Sequence, residues 1–175
     1  MKALVVYYSR TGNTKKAGED IAKALLRLKV EQSSGKVPPS IQSCDSEEII
    51  DRKGRKGPLG FMSAGRDAQK KKLTEIGPAQ KDPARYDLVI IGTPIWGSNL
   101  SCAARTYISQ NKAKLKKVAF FCTAGGGLNC SAFKDMEELC GKKPRATLEL
   151  SSEEVASGGH LKKVRDFAKR LSLKQ

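Results

Sequence analysis

The feature that most constrains this chain is a repeated alternation. A short apolar run ends in a polar or glycine-rich turn, and apolar residues at helical spacing follow. Ala3–Tyr8 is β-branched and aromatic and stops at Ser9. A run this short and this uniformly apolar reads as a strand covered on both faces. Beyond the turn Arg10-Thr11-Gly12-Asn13-Thr14, residues Ala17, Ile21, Ala24, Leu25 and Leu28 recur at the spacing of one helix face. Asp87–Gly92 (DLVIIG) repeats the pattern, with a turn-rich loop expected over Thr93–Asn99 and a helix over Ser101–Ser109. Lys117–Cys122 (KVAFFC) is the third such run. It leads through Thr123-Ala124-Gly125-Gly126-Gly127 to a helix carrying Phe133, Met136, Leu139 and Cys140. The alternation in Arg145–Leu150 predicts a last strand, and Leu161, Val164, Ala168 and Leu171 predict a closing helix.

Strand–turn–helix units in series imply an α/β protein, a parallel sheet with helices on both faces. In such sheets ligands bind beyond the carboxyl ends of the strands, where the strand order reverses. The three turns above all leave strands at that end, so they are expected on one edge of the molecule.

Residues 29–86 are less regular. Gln32–Ser43 is turn-rich, and Glu47–Ile50 predicts a short strand. Asp51–Lys72 holds eight Lys and Arg against two acids, Asp51 and Asp67. Within it Leu59, Phe61, Met62, Ala64 and Ala68 are expected to bury one face of a helix that starts near Gly60. At 175 residues the length suits one domain spanning 1–175, with an irregular basic excursion at about 31–80. No apolar stretch approaches the roughly 18 residues of a membrane span. The N-terminal run is too short for a signal peptide, so a cytoplasmic protein is expected. Five cysteines, at 44, 102, 122, 130 and 140, are odd in number and lack C-x-x-C spacing. They read as small hydrophobes rather than as a disulfide framework or a zinc site. His160, the only histidine, is expected to cap the last helix or to face solvent.

The first turn carries the most chemistry. A phosphate needs many donors, and the N–H groups of a helix N-terminus supply them with the positive end of the helix dipole. Ser9, Thr11 and Thr14 add hydroxyls without bulk, and Gly12 permits a close backbone approach. Helix capping accounts for one such residue, but poorly for four hydroxyl or amide side chains in six positions. Neither a Walker A motif nor a G-x-G-x-x-G fingerprint is present. In the second loop, Thr93-Pro94-Ile95-Trp96-Gly97-Ser98, the only tryptophan either stacks on a planar ring or packs in the core. Three glycines in the third loop let a ligand touch the backbone, or simply make the loop flexible.

Together the loops resemble the flavodoxin family. The likeness lies in YYSRTGNTKKAGEDIA, in DLVIIGTPIWGSNL and in FFCTAGGG, and RKGPLGFMSAGRDA is similar to a segment of some flavodoxin-like proteins. Flavodoxin is itself the type example of a doubly wound sheet that holds FMN at its switch point. The resemblance implies a single doubly wound, five-stranded parallel sheet in the order 2-1-3-4-5, with helices on both faces. It implies FMN as cofactor, its phosphate held by Ser9, Arg10, Thr11, Gly12, Asn13 and Thr14. The ring would be held by Thr93, Pro94, Ile95, Trp96 and Gly97 and by Thr123, Ala124, Gly125, Gly126 and Gly127. Three departures stand out: Arg10 where many flavodoxins carry a small polar residue, a third loop without the aromatic that flanks the ring in typical carriers, and a strongly basic composition. The implied role is transfer of one or two electrons through the isoalloxazine. An FMN-dependent NAD(P)H:quinone-type reductase is the alternative. No side-chain acid, base or nucleophile is required for the transfer.

The net charge of +15 bears on partners. Bound FMN phosphate removes about two charges, and the remaining field steers acidic partners. An acidic redox protein such as a ferredoxin fits, as does a small-molecule electron acceptor. The same charge is also what dispersed, solvated lysines give. Basic clusters at Arg52–Lys56, Arg66–Lys72, Lys112–Lys117, Lys142–Arg145 and Lys162–Lys174 raise nucleic-acid binding or a flavin-free scaffold as a competing class. No nucleic-acid motif accompanies them, and aromatics make up only 6% of the chain.

Overall fold

A computed structural model describes residues 1–33, 41–55, 57–126 and 131–173. The strands are β1 (Lys2–Tyr7), β2 (Ser43–Glu48), β3 (Leu88–Trp96), β4 (Asn99–Leu100), β5 (Lys117–Ala124) and β6 (Thr147–Ser151). Around them lie helices α1 (Asn13–Ser33), α2 (Gly57–Gln69), α3 (Cys102–Asn111), α4 (Ala132–Cys140), α5 (Ser152–Ser157) and α6 (Leu161–Ser172). The sheet order is β2-β1-β3-β5-β6, with every neighbour parallel and β4 attached to β3 alone. Omitting β4, this is the expected 2-1-3-4-5 doubly wound arrangement.

Alternation along β1 builds two cores. Ala3, Val5 and Tyr7 pack on one face with Ile21 and Leu25 of α1 and with Val164, Phe167 and Leu171 of α6. Leu4, Val6 and Tyr8 pack on the other face with Ala64 of α2, Tyr107 of α3 and Met136 of α4. Both faces are therefore covered, which is why β1, β3 and β5 read as continuous apolar runs. Gly18 belongs to this packing: a Cβ there would lie 2.5 Å from the Tyr7 ring.

Four expectations are corrected. β2 lies at Ser43–Glu48 rather than Glu47–Ile50, because its register is set by pairing along the sheet edge, from Lys2↔Ser43 to Tyr7↔Glu48, and not by its own apolar content. The turn-rich stretch after Gly92 is largely strand: β3 runs on to Trp96 and folds back as a hairpin, Ile95↔Leu100 and Trp96↔Asn99. Its turn residues, Gly97 and Ser98, have φ of +53° and +64°, the left-handed pair that suits a two-residue hairpin turn. In α2 the buried stripe is Gly60, Ala64, Asp67 and Ala68, while Leu59, Phe61 and Met62 face solvent. His160 stands at the N-cap position of α6 as expected, but its side chain neither caps the helix nor faces solvent: it is wholly buried, with Nε2 2.9 Å from the Asp20 carboxylate and Nδ1 3.2 Å from the Glu154 carbonyl. The turn at Gly158, φ +83°, folds α6 back against α1 and carries the imidazole inside. In that last helix Phe167 takes the central core position, and Leu161 is half exposed. Cys102, Cys122 and Cys140 are buried, and Cys130 lies outside the described residues.

Candidate functional site

The order reverses between β1 and β3, and the register places their carboxyl ends side by side. Tyr7 pairs with Gly92, and Pro94 pairs with Thr123 across β3 and β5. Gly92 allows this closeness, since a Cβ there would fall 2.1 Å from the Phe121 ring. The main chain continues the contact beyond β1, with the Tyr8 N–H donating to the Gly92 carbonyl at 3.2 Å.

Ser9–Gly12 then turns into α1. The Gly12 N–H donates to Ser9 Oγ at 3.1 Å, and Gly12 has φ +93°, a conformation other residues adopt only with strain. The first intrahelical bond runs from the Lys16 N–H to the Gly12 carbonyl at 2.9 Å. Earlier first-turn N–H groups have no intrahelical acceptor. No acidic side chain lies in this first turn, and a Cβ built on Gly12 would meet nothing within 4 Å. Thr11 and Gly12 are exposed and Ser9 and Asn13 half-buried, whereas Thr14 is 2% exposed.

Thr14 points inward. Its Oγ1 lies 2.7 Å from Thr123 Oγ1, a buried bond that ties the first loop to the third across 109 positions of sequence. Thr93 is buried too: its hydroxyl accepts from the Ser101 N–H at 3.0 Å and lies 3.1 Å from the Ser101 hydroxyl, which caps α3. Ala124 is buried, and Gly125 and Gly126 are exposed with open space where a Cβ would stand. Gly127 lies outside the described residues. The structure thus brings the described part of all three loops to the same carboxyl edge of the sheet. Two cavities, of about 460 and 430 Å³, lie between α1 and α6 and beside Tyr86, and none of their lining residues belongs to these loops.

Arg10 and Trp96 have definite places. The Arg10 guanidinium donates to the carbonyls of Arg55 (2.8 Å) and Gly57 (3.0 Å) and lies 5.3 Å from the Phe61 ring centre. It therefore staples the first turn to the start of α2. Trp96 is packed, only 7% exposed, edge-on to Tyr8 at 5.5 Å with the Arg55 guanidinium 5.8 Å from its ring centre. Burial, with Asp51 adding to it, pushes the Tyr8 phenol up to about 12, so it stays protonated and uncharged at neutral pH.

Sequence reasoning missed the ionic cluster beneath this wall. Arg55 donates to Asp51 at 2.8 Å and to Asp67 at 3.1 Å, with the Arg55 and Asp51 side chains each 3% exposed. Burial opposes the Arg55 charge, but Asp51 and Asp67 outweigh it and hold the guanidinium protonated. Lys53 foremost, then Arg55 and Lys72, lowers Asp67 to about 2. The two acids of the Asp51–Lys72 stretch are thus consumed internally. Nothing in the sequence signals this cluster: Asp51 and Arg55 are four apart but not on a helix, and the close approach of Gly60 to the Arg55 carbonyl carbon, where a Cβ would lie 2.4 Å away, is made only in the fold.

The donor set fits a dianionic phosphate ester beside a planar ring. It combines an uncrowded helix N-terminus free of acids, neighbouring hydroxyls, and a third loop whose Gly125 and Gly126 leave their backbone uncovered. The fold is a doubly wound α/β architecture with these loops gathered at the carboxyl edge of its sheet. The flavodoxin family profile matches residues 2–150, and the chain belongs to the flavodoxin family. None of the curated proteins compared with the chain matches it. Among solved structures it is similar to a Lactobacillus acidophilus flavoprotein in complex with FMN, at 24% identity and TM-score 0.63 over 89% of this chain and 97% of that one. A flavoprotein of Bacteroides uniformis superposes with TM-score 0.65 at 22% identity, over 96% and 97% of the two chains. Two-electron reduced Megasphaera elsdenii flavodoxin does so with TM-score 0.53 at 18% identity, over 95% and 97%.

Proposed function

We propose that this protein binds FMN at the carboxyl edge of β1, β3 and β5 and serves as an electron carrier. The observation that carries the reading is the turn Ser9–Thr14. Its positive-φ Gly12 and acid-free first helical turn leave donors uncovered beside a third loop whose Gly125 and Gly126 stand in open space. Bound FMN would supply a ring that takes up and returns one or two electrons.

The chain's own residues bind and orient. Thr11, Gly12 and Asn13 present the phosphate site, with the α1 dipole favouring the dianion. Thr14, held from behind by Thr123, fixes the height of that turn. Pro94 and Ile95, half-buried at the end of β3, and the exposed Gly125 and Gly126 after β5 form the two sides of the ring site. Trp96 acts through Tyr8 and Arg55 as a buttress of that wall rather than as a free stacking platform. Arg10, engaged by two carbonyls, contributes charge at a distance and orders the neighbouring helix. The FMN-bearing relative and the family membership support this reading.

Fluorescence titration with FMN and with riboflavin, which lacks the phosphate, tests it. FMN emission is expected to be quenched on binding, with riboflavin at least 100-fold weaker. Equal affinity for the two, or no binding of FMN, refutes the proposal. Anaerobic mixing of the FMN-loaded protein with NADPH then separates carrier from reductase: no bleaching without a protein donor is the carrier's behaviour.

A further inference from the structure

Helix α2 is built inside out. Its inward stripe is Gly60, Ala64, Asp67 and Ala68, and its largest apolar side chains point to solvent. Leu59 is 82% exposed, Phe61 58% and Met62 62%. Close packing of the first turn on the Arg55 backbone forces this. A Cβ at position 60 would overlap that backbone, so only glycine fits inward and the large residues are turned out. The segment is held in place rather than left loose: Arg10 binds the Arg55 and Gly57 carbonyls, and Arg55 is locked by Asp51 and Asp67. An apolar surface kept exposed by a buried ionic network, beside a ligand-binding edge, has the character of an interaction site.

Its border selects the occupant. Arg66 on α2 and Lys70 just beyond it are exposed and have no acidic partner among the described residues. Arg10 lies over Phe61, and the two acids of the Asp51–Lys72 stretch, Asp51 and Asp67, are committed inside. An apolar centre with a cationic rim matches a protein face with an apolar centre and a rim of carboxylates. A second copy of the chain would bring the same cations, and a net charge of +15, against itself. Arg10 joins this patch directly to the first loop. We propose that Leu59, Phe61 and Met62, rimmed by Arg10, Arg66 and Lys70, form the docking surface for an acidic electron-transfer protein. The proposal rests on the FMN reading for the word electron, but the surface itself is testable without FMN.

The test is calorimetric titration of an acidic plant-type [2Fe–2S] ferredoxin, in its oxidised form, into the FMN-loaded chain and into the FMN-free chain. Binding is expected at low salt and is expected to weaken at least tenfold in 0.3 M salt. The triple variant L59S/F61S/M62S is expected to weaken it a further tenfold or more while FMN affinity and urea unfolding stay unchanged, and R66E/K70E is expected to weaken it similarly. Ferredoxin affinity unaltered in both variants, or no ferredoxin binding at all, overturns the proposal. So does a patch-dependent interaction with vesicles of anionic phosphatidylserine, or patch-dependent self-association in sedimentation, in place of ferredoxin binding. If FMN fails to bind but ferredoxin still docks through these side chains, the surface stands and the flavin reading falls. If FMN binds and the triple variant changes nothing, the reverse holds.

Discussion

The bond between Thr14 and Thr123 joins the first loop to the third, and a double-mutant cycle can measure it. Both residues are buried, at 2% and 4% exposure, and their hydroxyls lie 2.7 Å apart. Thr→Val keeps the shape and removes the hydroxyl. Either single change leaves the other hydroxyl buried without this partner, a penalty of about 1–3 kcal/mol, offset in part by the added buried methyl. The expected loss is about 1.5 kcal/mol for T14V and about the same for T123V. With both hydroxyls removed no donor is stranded, so T14V/T123V is expected within about 1 kcal/mol of the parent. The coupling between the sites is then about 2 kcal/mol. Urea unfolding of the FMN-free chain at constant m-value reads it directly. In heat, at about 2.1 cal/mol/K per residue of unfolding entropy, each single variant is expected to melt about 4 °C lower. Losses that simply add in the double variant, with coupling below about 0.3 kcal/mol, would refute the reasoning. Repeating the cycle at saturating FMN extends it: a phosphate gives the Thr14 hydroxyl another acceptor, so the coupling is expected to fall below about 0.5 kcal/mol.

Two glycines in α2 are expected to respond with opposite signs to alanine. Gly60→Ala drives a Cβ into the Arg55 backbone and is expected to destabilise by about 2 kcal/mol, whereas Gly65→Ala meets nothing within 4 Å and is expected to stabilise by about 0.5–1 kcal/mol in urea unfolding. Asp67 gives a pH signature. Its folded value of about 2 lies below the ordinary 3.8, so its contribution of about 2 kcal/mol is present above the ordinary value and is lost as pH falls through about 2. The stability gap between the parent and D67N is therefore expected to narrow between pH 5 and pH 2, and a gap independent of pH refutes the pairing. Arg10→Met removes two charge-assisted bonds to main-chain carbonyls. Amide hydrogen exchange over 57–64 is expected to quicken about 10- to 100-fold, while exchange in α6 stays unchanged.

Much of the architecture could be read from the chain because local chemistry and burial agree there. Ala3–Tyr8, Asp87–Gly92 and Lys117–Cys122 are apolar throughout, and only strands covered on both faces make sense of that. The turn at Ser9–Thr14 announces an anion site through its own residue types. β2 was misplaced because an edge strand, SCDSEE, takes its register from its neighbour and carries no apolar alternation of its own. The hairpin at Trp96–Asn99 looks like loop in one dimension because Pro94, Gly97 and Ser98 are turn residues, whereas the two left-handed residues Gly97 and Ser98 make it a strand reversal. The inversion of α2 was hidden for a different reason. Periodicity reports which residues are apolar, but backbone proximity decides which side faces in, and Gly60 against Arg55 settles that through a contact invisible in one dimension.

The sequence by itself determined the parallel α/β sheet and the set of loops at its carboxyl edge, since both follow from short-range pattern and from the order of units along the chain. Only the tertiary structure decided where Arg10, Trp96, Arg55 and His160 point, and which α2 residues meet solvent. Arg10 and His160 take their places from partners 45 and 140 positions away, Arg55 and Asp20. Contacts at that separation form only after the sheet has folded and the helices have packed across it.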